Sequence, residues 1–234
     1  MYPEYAMPLH SLILNCTLKK SPETSNTDAL IDKAIAEFKR LGVESTVVRI
    51  ADLNIPPGVV TRVDNEDEWP KVIEQIRACE IFIVATPIWV GHISSICQKV
   101  IERLDATFYD EELIHKDTGQ YLFYNKVAGV MVTGNEDGAH AVTSRLCWTL
   151  NEFGCTVPPN ATTYWVGEAG PGPSYIEAGQ QSEYTNKMTL TMVHTLTEMA
   201  SLLSANHLKT NLNELAERAK EPLPPIAILP EKHN

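Results

Sequence analysis

Apolar residues recur at two spacings along the chain, and their alternation predicts a succession of strands and helices. Short, largely apolar runs predict strands at 11–15, 45–50, 81–86 and 127–133. Apolar residues at every third or fourth position predict helices at about 27–41, 67–78, 94–105, 139–153 and 187–205. A fifth strand is predicted near 156–157, with 163–166 as its possible continuation.

This order of elements predicts an α/β fold. Strands that alternate with helices of this length form βαβ units, with parallel strands and right-handed crossovers. Five such units fit a three-layer, doubly wound domain whose parallel sheet has the strand order 2-1-3-4-5. We assign residues 1–207 to this domain, and residues 208–234 to a short helix and a Pro-rich C-terminal tail.

Composition and charge limit the classes of partner. The chain has 234 residues, 44% of them hydrophobic, and a net charge of -11, so a basic nucleic-acid-binding surface is not expected. No apolar run is long enough to span a bilayer, which predicts no membrane segment. Five widely spaced cysteines and no visible secretory signal predict reduced thiols and a cytoplasmic location.

The loop after the first strand, residues 16–27, has the composition of an anion site. Hydroxyl and amide side chains lead into a helix start, where free N–H groups and the helix dipole favour negative charge. The candidate phosphate ligands are Thr17, Lys19, Ser25, Asn26 and Thr27. Ordinary helix capping is the alternative interpretation. The chain has neither a Gly-x-x-x-x-Gly-Lys nor a Gly-x-Gly-x-x-Gly motif.

Two further loops follow the third and fourth strands, and a parallel sheet brings both to the same edge. In the first, a Thr-Pro turn, a Trp and a Gly suit a planar ligand, and the alternative is a strand-to-helix turn with Trp89 at a subunit contact. In the second, two glycines flank polar residues at a helix start, where the alternative is a tight turn capped by Asp137. The candidate ligand-binding residues in the two loops are Thr86, Pro87, Ile88, Trp89, Val90, Gly91, Thr133, Gly134, Asn135, Glu136, Asp137 and Gly138.

No metal site is predicted. Glu136, Asp137 and His140 lie close together in sequence, but their spacing is not a recognised ligand pattern. Together, a phosphate pocket and two loops suited to a flat ring indicate a mononucleotide with a large planar ring, and FMN meets that description.

On these residues the chain resembles the flavodoxin-like NADPH-dependent FMN reductase and quinone reductase superfamily. The similarity lies in 12–19 with 25–27, in 85–91 with 99–105, and in 133–135 with Gly138. The resemblance implies a flavodoxin-like fold, non-covalent FMN as cofactor, and hydride transfer from NAD(P)H through FMN to a quinone, a flavin or a similar small-molecule acceptor. It requires no acid–base residue, so we assign no catalytic side chain.

Other functions stay open at this point. A non-enzymatic flavodoxin-type electron carrier would fit the acidic charge, and a flavin-free binding protein could retain the fold. The chain is long for a carrier, and its added loops favour subunit contacts, so we predict a homodimer or homotetramer. The Gly/Pro-rich segment 165–175 either covers the flavin or forms such a contact.

Overall fold

The computed structural model describes residues 9–170 and 172–222. The strands are β1 (His10–Asn15), β2 (Glu44–Arg49), β3 (Ile81–Trp89), β4 (His92–Ile93), β5 (Val127–Gly134) and β6 (Thr162–Val166). The helices are α1 (Asn26–Arg40), α2 (Trp69–Ala78), α3 (Ser95–Asp105), α4 (Ala139–Glu152), α5 (Glu183–Ala205) and α6 (Leu212–Arg218).

Five parallel strands form the sheet in the order β2-β1-β3-β5-β6, and the two-residue strand β4 pairs antiparallel with the end of β3. Counted along the chain, the parallel strands therefore have the predicted order 2-1-3-4-5, and the predicted fold class is confirmed. The switch point lies between β1 and β3, where the loops after both strands leave the same edge of the sheet.

Helices cover both faces of the sheet, which explains the unbroken apolar runs. Leu12 and Leu14 pack into the cluster on one face with side chains of α2, α3 and α4, whereas Ile13 packs into the cluster on the other face with α1 and α5. Successive strand residues point to opposite faces, so every position of such a strand is buried.

Two element boundaries differ from the sequence prediction. Thr156 makes only an isolated bridge to Val127, and the strand itself is β6, because Pro158 and Pro159 have no N–H to donate to a ladder. Helix α5 begins at Glu183 rather than at residue 187, since Ser182 caps it by accepting a hydrogen bond from the Thr185 N–H at 3.2 Å.

The segment after α5 packs on the long connection between α3 and β5. Gln120 Nε2 donates to the carbonyls of Leu208 and Thr210, both at 2.9 Å, and the Leu212 N–H donates to the Thr118 carbonyl at 2.6 Å. The domain division at 207/208 stays a prediction, and the predicted tail lies largely outside the described residues. In the described part of the chain, no helix is both long and apolar enough to cross a membrane.

Candidate functional site

A cavity of about 500 Å³ lies beyond the carboxyl ends of β1, β3 and β5. Its position is the one expected for a ligand in an open parallel sheet. It is lined by Thr17, Leu18, Lys19, Ser25, Asn26, Thr27, Pro87, Ile88, Trp89, Thr133, Gly134, Asn135, Glu136, Trp165, Gly170 and Tyr175.

The start of α1 forms the polar end of the cavity. Ser25 caps the helix by accepting a hydrogen bond from the Asp28 N–H at 3.3 Å. Asn26 and Thr27 belong to the first turn, where backbone N–H groups have no acceptor within the helix. Lys19 lies beside them, with its ammonium donating to the Thr24 carbonyl at 2.9 Å. This end of the cavity therefore favours an anion.

Hydrogen bonds hold the polar end in place. The Thr17 N–H donates to Asn15 Oδ1 at 2.9 Å. The Thr27 and Thr133 hydroxyls are 3.1 Å apart, which ties the start of α1 to the end of β5. Asp28 is the acidic residue of the first helical turn, and both Asn15 and Arg49 contact its carboxylate. Arg49 compensates the negative charge of Asp28 near the anion-favouring helix start.

Cys16, the first residue of the loop after β1, is not a candidate nucleophile. A hydrogen bond with Cys97 and burial raise the pKa of the Cys16 thiol well above its usual value, so the thiol stays protonated. The Cys16 carbonyl accepts a hydrogen bond from Ser94 Oγ at 2.7 Å. Cys16 therefore has a structural role between β1 and the start of α3.

The end of the cavity opposite the start of α1, which we call the flat end, is bordered by a β-hairpin and the loop after β5. Val90 and Gly91 connect β3 to β4 with φ values of 49° and 74°, as a type I′ turn requires. Glu136 Oε1 accepts a hydrogen bond from the Val90 N–H at 2.7 Å, which joins the two loops. Trp89 precedes the turn and is 52% exposed at the cavity rim.

A third segment, residues 165–175, closes another side of the cavity. Trp165 and Tyr175 pack edge to face, with ring centroids 5.7 Å apart. Asn135 Nδ2 donates to the Gly172 and Pro173 carbonyls at 2.8 and 3.0 Å. Trp165, Gly170 and Tyr175 of this segment line the cavity, and the choice between covering the flavin and forming a subunit contact stays a prediction.

Most of the candidate ligand residues come together at the cavity, and five do not. Twelve of the predicted residues line it: Thr17, Lys19, Ser25, Asn26, Thr27, Pro87, Ile88, Trp89, Thr133, Gly134, Asn135 and Glu136. The five that do not line it are Thr86, Val90, Gly91, Asp137 and Gly138.

Those five residues build the loops around the cavity. Thr86 is fully buried, and its hydroxyl accepts a hydrogen bond from the Ser94 N–H at 3.2 Å. Gly91 and Gly138 approach each other closely, since a Cβ at Gly138 would lie 2.9 Å from the Gly91 Cα. Gly91 and Gly138 therefore bring two loops together and do not line the ligand cavity themselves.

The sequence assignment missed Leu18, Gly170, Trp165 and Tyr175 as individual lining residues. For the last three, the Gly/Pro-rich composition of 165–175 was the available signal, and it indicated the segment without indicating which side chains face inward. No comparable signal marks Leu18.

Residues 11–169 match the family model described as NADPH-dependent FMN reductase. The chain belongs to the NADPH-dependent FMN reductase family. It is accordingly an FMN-binding, flavin-dependent oxidoreductase with NAD(P)H as electron donor. The family, the cofactor and the broad function predicted from the sequence are confirmed.

The similar proteins include two whose names concern modified flavins and one named as a metal transporter. The chain is 40% identical over 225 residues to 8-demethyl-8-aminoriboflavin-5'-phosphate synthase from Streptomyces davaonensis, covering 92% of this chain and 86% of the relative. It is similar to the crystal structure of RosB with bound 8-demethyl-8-formylriboflavin-5'-phosphate, with a TM-score of 0.82, 35% identity, and coverage of 97% and 94% of the two chains. A Mycobacterium bovis protein named divalent metal cation transporter MntH is 37% identical over 204 residues, 84% of this chain and 29% of that protein.

The chemistry of the cavity fits FMN. An anion-favouring helix start at one end suits a phosphate, and Pro87, Ile88 and Trp89 at the other suit an aromatic ring. Tyr175, one of the lining residues, also has a buried hydroxyl with no hydrogen-bond partner in the described residues. Across 9–170 and 172–222, no group of three acidic, His or Cys side chains could hold a metal ion.

Proposed function

We propose that this protein is an NAD(P)H-dependent reductase that passes hydride through bound FMN to a quinone or to a second flavin. The observation that supports this most is the shape of the cavity. Its polar end is enclosed by the start of α1, whereas the flat end is bordered by the half-exposed Trp89. A planar donor or acceptor could then reach the flavin ring from solvent, while the phosphate is held inside.

The proposed contacts follow the two ends of the cavity. Thr17, Lys19, Ser25, Asn26 and Thr27 would bind the phosphate, and residues 87–89 with 134–136 would border the ring. When bound, FMN supplies the hydride-accepting and hydride-donating chemistry. The protein residues position it and exclude water, and none is proposed as an acid or base. Thr86, Val90, Gly91, Asp137 and Gly138 are proposed to support the loops.

A second candidate treats the flavin as substrate. The two similar flavin proteins have names that describe an 8-amino flavin product and a bound 8-formyl flavin. Those names imply oxidation of the flavin 8-methyl group to a formyl group, then cleavage of its bond to C8, with the carbon leaving as formate or carbon dioxide while an amino group takes its place. This chain could catalyse related chemistry, with dioxygen as oxidant and an added amine as amino donor, since 40% identity extends over 92% of its length.

One experiment separates the candidates. The FMN-loaded protein is supplied with NADH or NADPH and an excess of quinone or free FMN, and nicotinamide oxidation is followed. In parallel, the protein is kept in aerated buffer with FMN and a mixture of amino acids, and the flavin is analysed by mass spectrometry. Many turnovers with unaltered flavin support the reductase. An altered flavin mass supports the second candidate. Bound flavin with neither turnover nor a change of mass would contradict both in favour of an electron carrier.

We also propose a homodimer or homotetramer located in the cytoplasm. Exposed aromatic side chains outside the cavity, among them Tyr109 and Trp148, support self-association. Light scattering coupled to size-exclusion chromatography tests this directly, and a monomer at micromolar concentration would contradict it.

A further inference from the structure

The hydroxyl of Tyr175 is a buried polar group that lacks a partner. The side chain is fully buried, lines the cavity and, across residues 9–170 and 172–222, finds no hydrogen-bond acceptor or donor. Buried polar groups in native proteins are nearly always hydrogen-bonded, because leaving one unpaired sacrifices its hydration without compensation. A ligand atom in the cavity would provide the missing partner.

The residue that follows Tyr175 is bonded to the start of α1, which forms the polar end of the cavity. The next residue, Ile176, donates its N–H to Asn26 Oδ1 at 3.0 Å, and Asn26 is the first residue of that helix. This bond attaches segment 165–175 to the helix terminus at which a phosphate is favoured.

Packing contacts on two sides hold the Tyr175 ring in place. Trp165 contacts one side of the Tyr175 ring edge to face. On another side, a Cβ at Gly179 would lie 2.3 Å from Tyr175 Cδ2, so only a glycine leaves room for the ring. The ring is thus held in position before any ligand binds, and such preorganisation reduces the entropic cost of forming a hydrogen bond.

We propose that Tyr175 determines specificity for the phosphorylated flavin by donating its hydroxyl hydrogen to a phosphate oxygen of FMN. This rests on the FMN binding in the proposed function. It does not depend on which acceptor the enzyme reduces. Riboflavin, which lacks the phosphate, would leave the hydroxyl unpaired.

The ionisation state of the phenol is consistent with this role. Burial raises the pKa of Tyr175 to about 12, so the hydroxyl remains protonated throughout the physiological range. A protonated phenol can donate to a phosphate oxygen, whereas a phenolate would repel it.

The test compares two flavins on two variants. Tyr175→Phe removes the hydroxyl, and Tyr164→Phe is the matched control, because the Tyr164 hydroxyl bonds His140 Nε2 at 2.9 Å and does not line the cavity. Dissociation constants for FMN and riboflavin are measured by flavin fluorescence without NAD(P)H. For Tyr175→Phe we expect the FMN constant to rise about ten- to a hundredfold, as for loss of a hydrogen bond to a charged group, with riboflavin affinity unchanged. Tyr164→Phe should change neither.

Apoprotein stability provides a second measurement. Since the hydroxyl has no partner without ligand, Tyr175→Phe should melt at the same temperature as the wild type or higher, and FMN should raise that temperature less. Equal losses for both flavins, unchanged FMN affinity, or a lower apoprotein melting temperature would overturn the proposal. A variant that fails to fold would also overturn it, as would wild-type protein that binds riboflavin as tightly as FMN. Absence of NAD(P)H turnover would contradict the proposed function and leave these binding results unaffected.

Discussion

Replacing Gly138 by alanine should damage both stability and FMN binding, because this glycine joins the two loops at the flat end of the cavity. Its φ of 129° disfavours any residue with a Cβ, and the new Cβ would lie 2.9 Å from both the Cα and the carbonyl oxygen of Gly91. Strained backbone costs about 1–3 kcal/mol, and forced overpacking costs about 1–3 kcal/mol more. We therefore expect Gly138→Ala to lower the free energy of unfolding by at least about 2 kcal/mol.

Gly42→Ala is the matched control for backbone strain. Gly42 has a φ of 76°, and a Cβ there would meet no atom within 4 Å, so its cost should be the conformational term of about 1–2 kcal/mol. Urea unfolding of both apoproteins gives the difference, and flavin fluorescence gives the FMN dissociation constants. We expect weaker FMN binding only in Gly138→Ala, because the Gly91 turn is next to Trp89. Equal stability losses and unchanged FMN affinity in both variants would refute the contact between the loops.

Three further predictions concern the hairpin, the core and the cavity rim. Val90→Asn should raise the free energy of unfolding by about 1 kcal/mol, because Asn tolerates the left-handed φ of 49°. Val90→Thr should not raise the melting temperature, and a rise equal to that of Val90→Asn would contradict the reasoning. Burial opposes ionisation of Asp67, but hydrogen bonds from Arg103 and two backbone N–H groups hold the pKa of its carboxyl below the usual value. The contribution of the ionised Asp67 carboxylate to the free energy of unfolding is therefore complete above about pH 3.9 and is lost as pH falls through the lower folded-state pKa. In urea unfolding at neutral pH, Asp67→Asn should cost about 3–5 kcal/mol by leaving the fully buried Arg103 unpaired, and a loss below 1 kcal/mol would argue against the pair. Trp89→Leu should weaken FMN binding about tenfold in a fluorescence titration, whereas Trp148→Leu, on the exposed surface of α4, should not.

The sheet was predictable because its signal is local. In β1, Leu12, Ile13 and Leu14 are all apolar since each faces one of two helix layers, and this leaves an unbroken run in the sequence. The loops that follow parallel strands then meet at one edge, and twelve of the predicted ligand residues line the cavity for that reason.

The remaining features depend on contacts between distant residues. Val90 is β-branched and would not be placed at positive φ from sequence, but the bond between its N–H and Glu136 helps to hold the turn. Tyr175 reaches the cavity through the bond between Ile176 and Asn26, which are 150 positions apart. No periodicity or motif reports such a contact.

The most direct test of the account is an anaerobic absorbance titration of the FMN-loaded protein with NADPH and, separately, with NADH. An FMN-dependent reductase should show protein-bound flavin bands that bleach with one equivalent of nicotinamide and return when quinone is added. Flavin that binds but is not reduced by either nicotinamide would contradict the proposed reductase activity. Protein that takes up no FMN would contradict the assignment of the cavity itself.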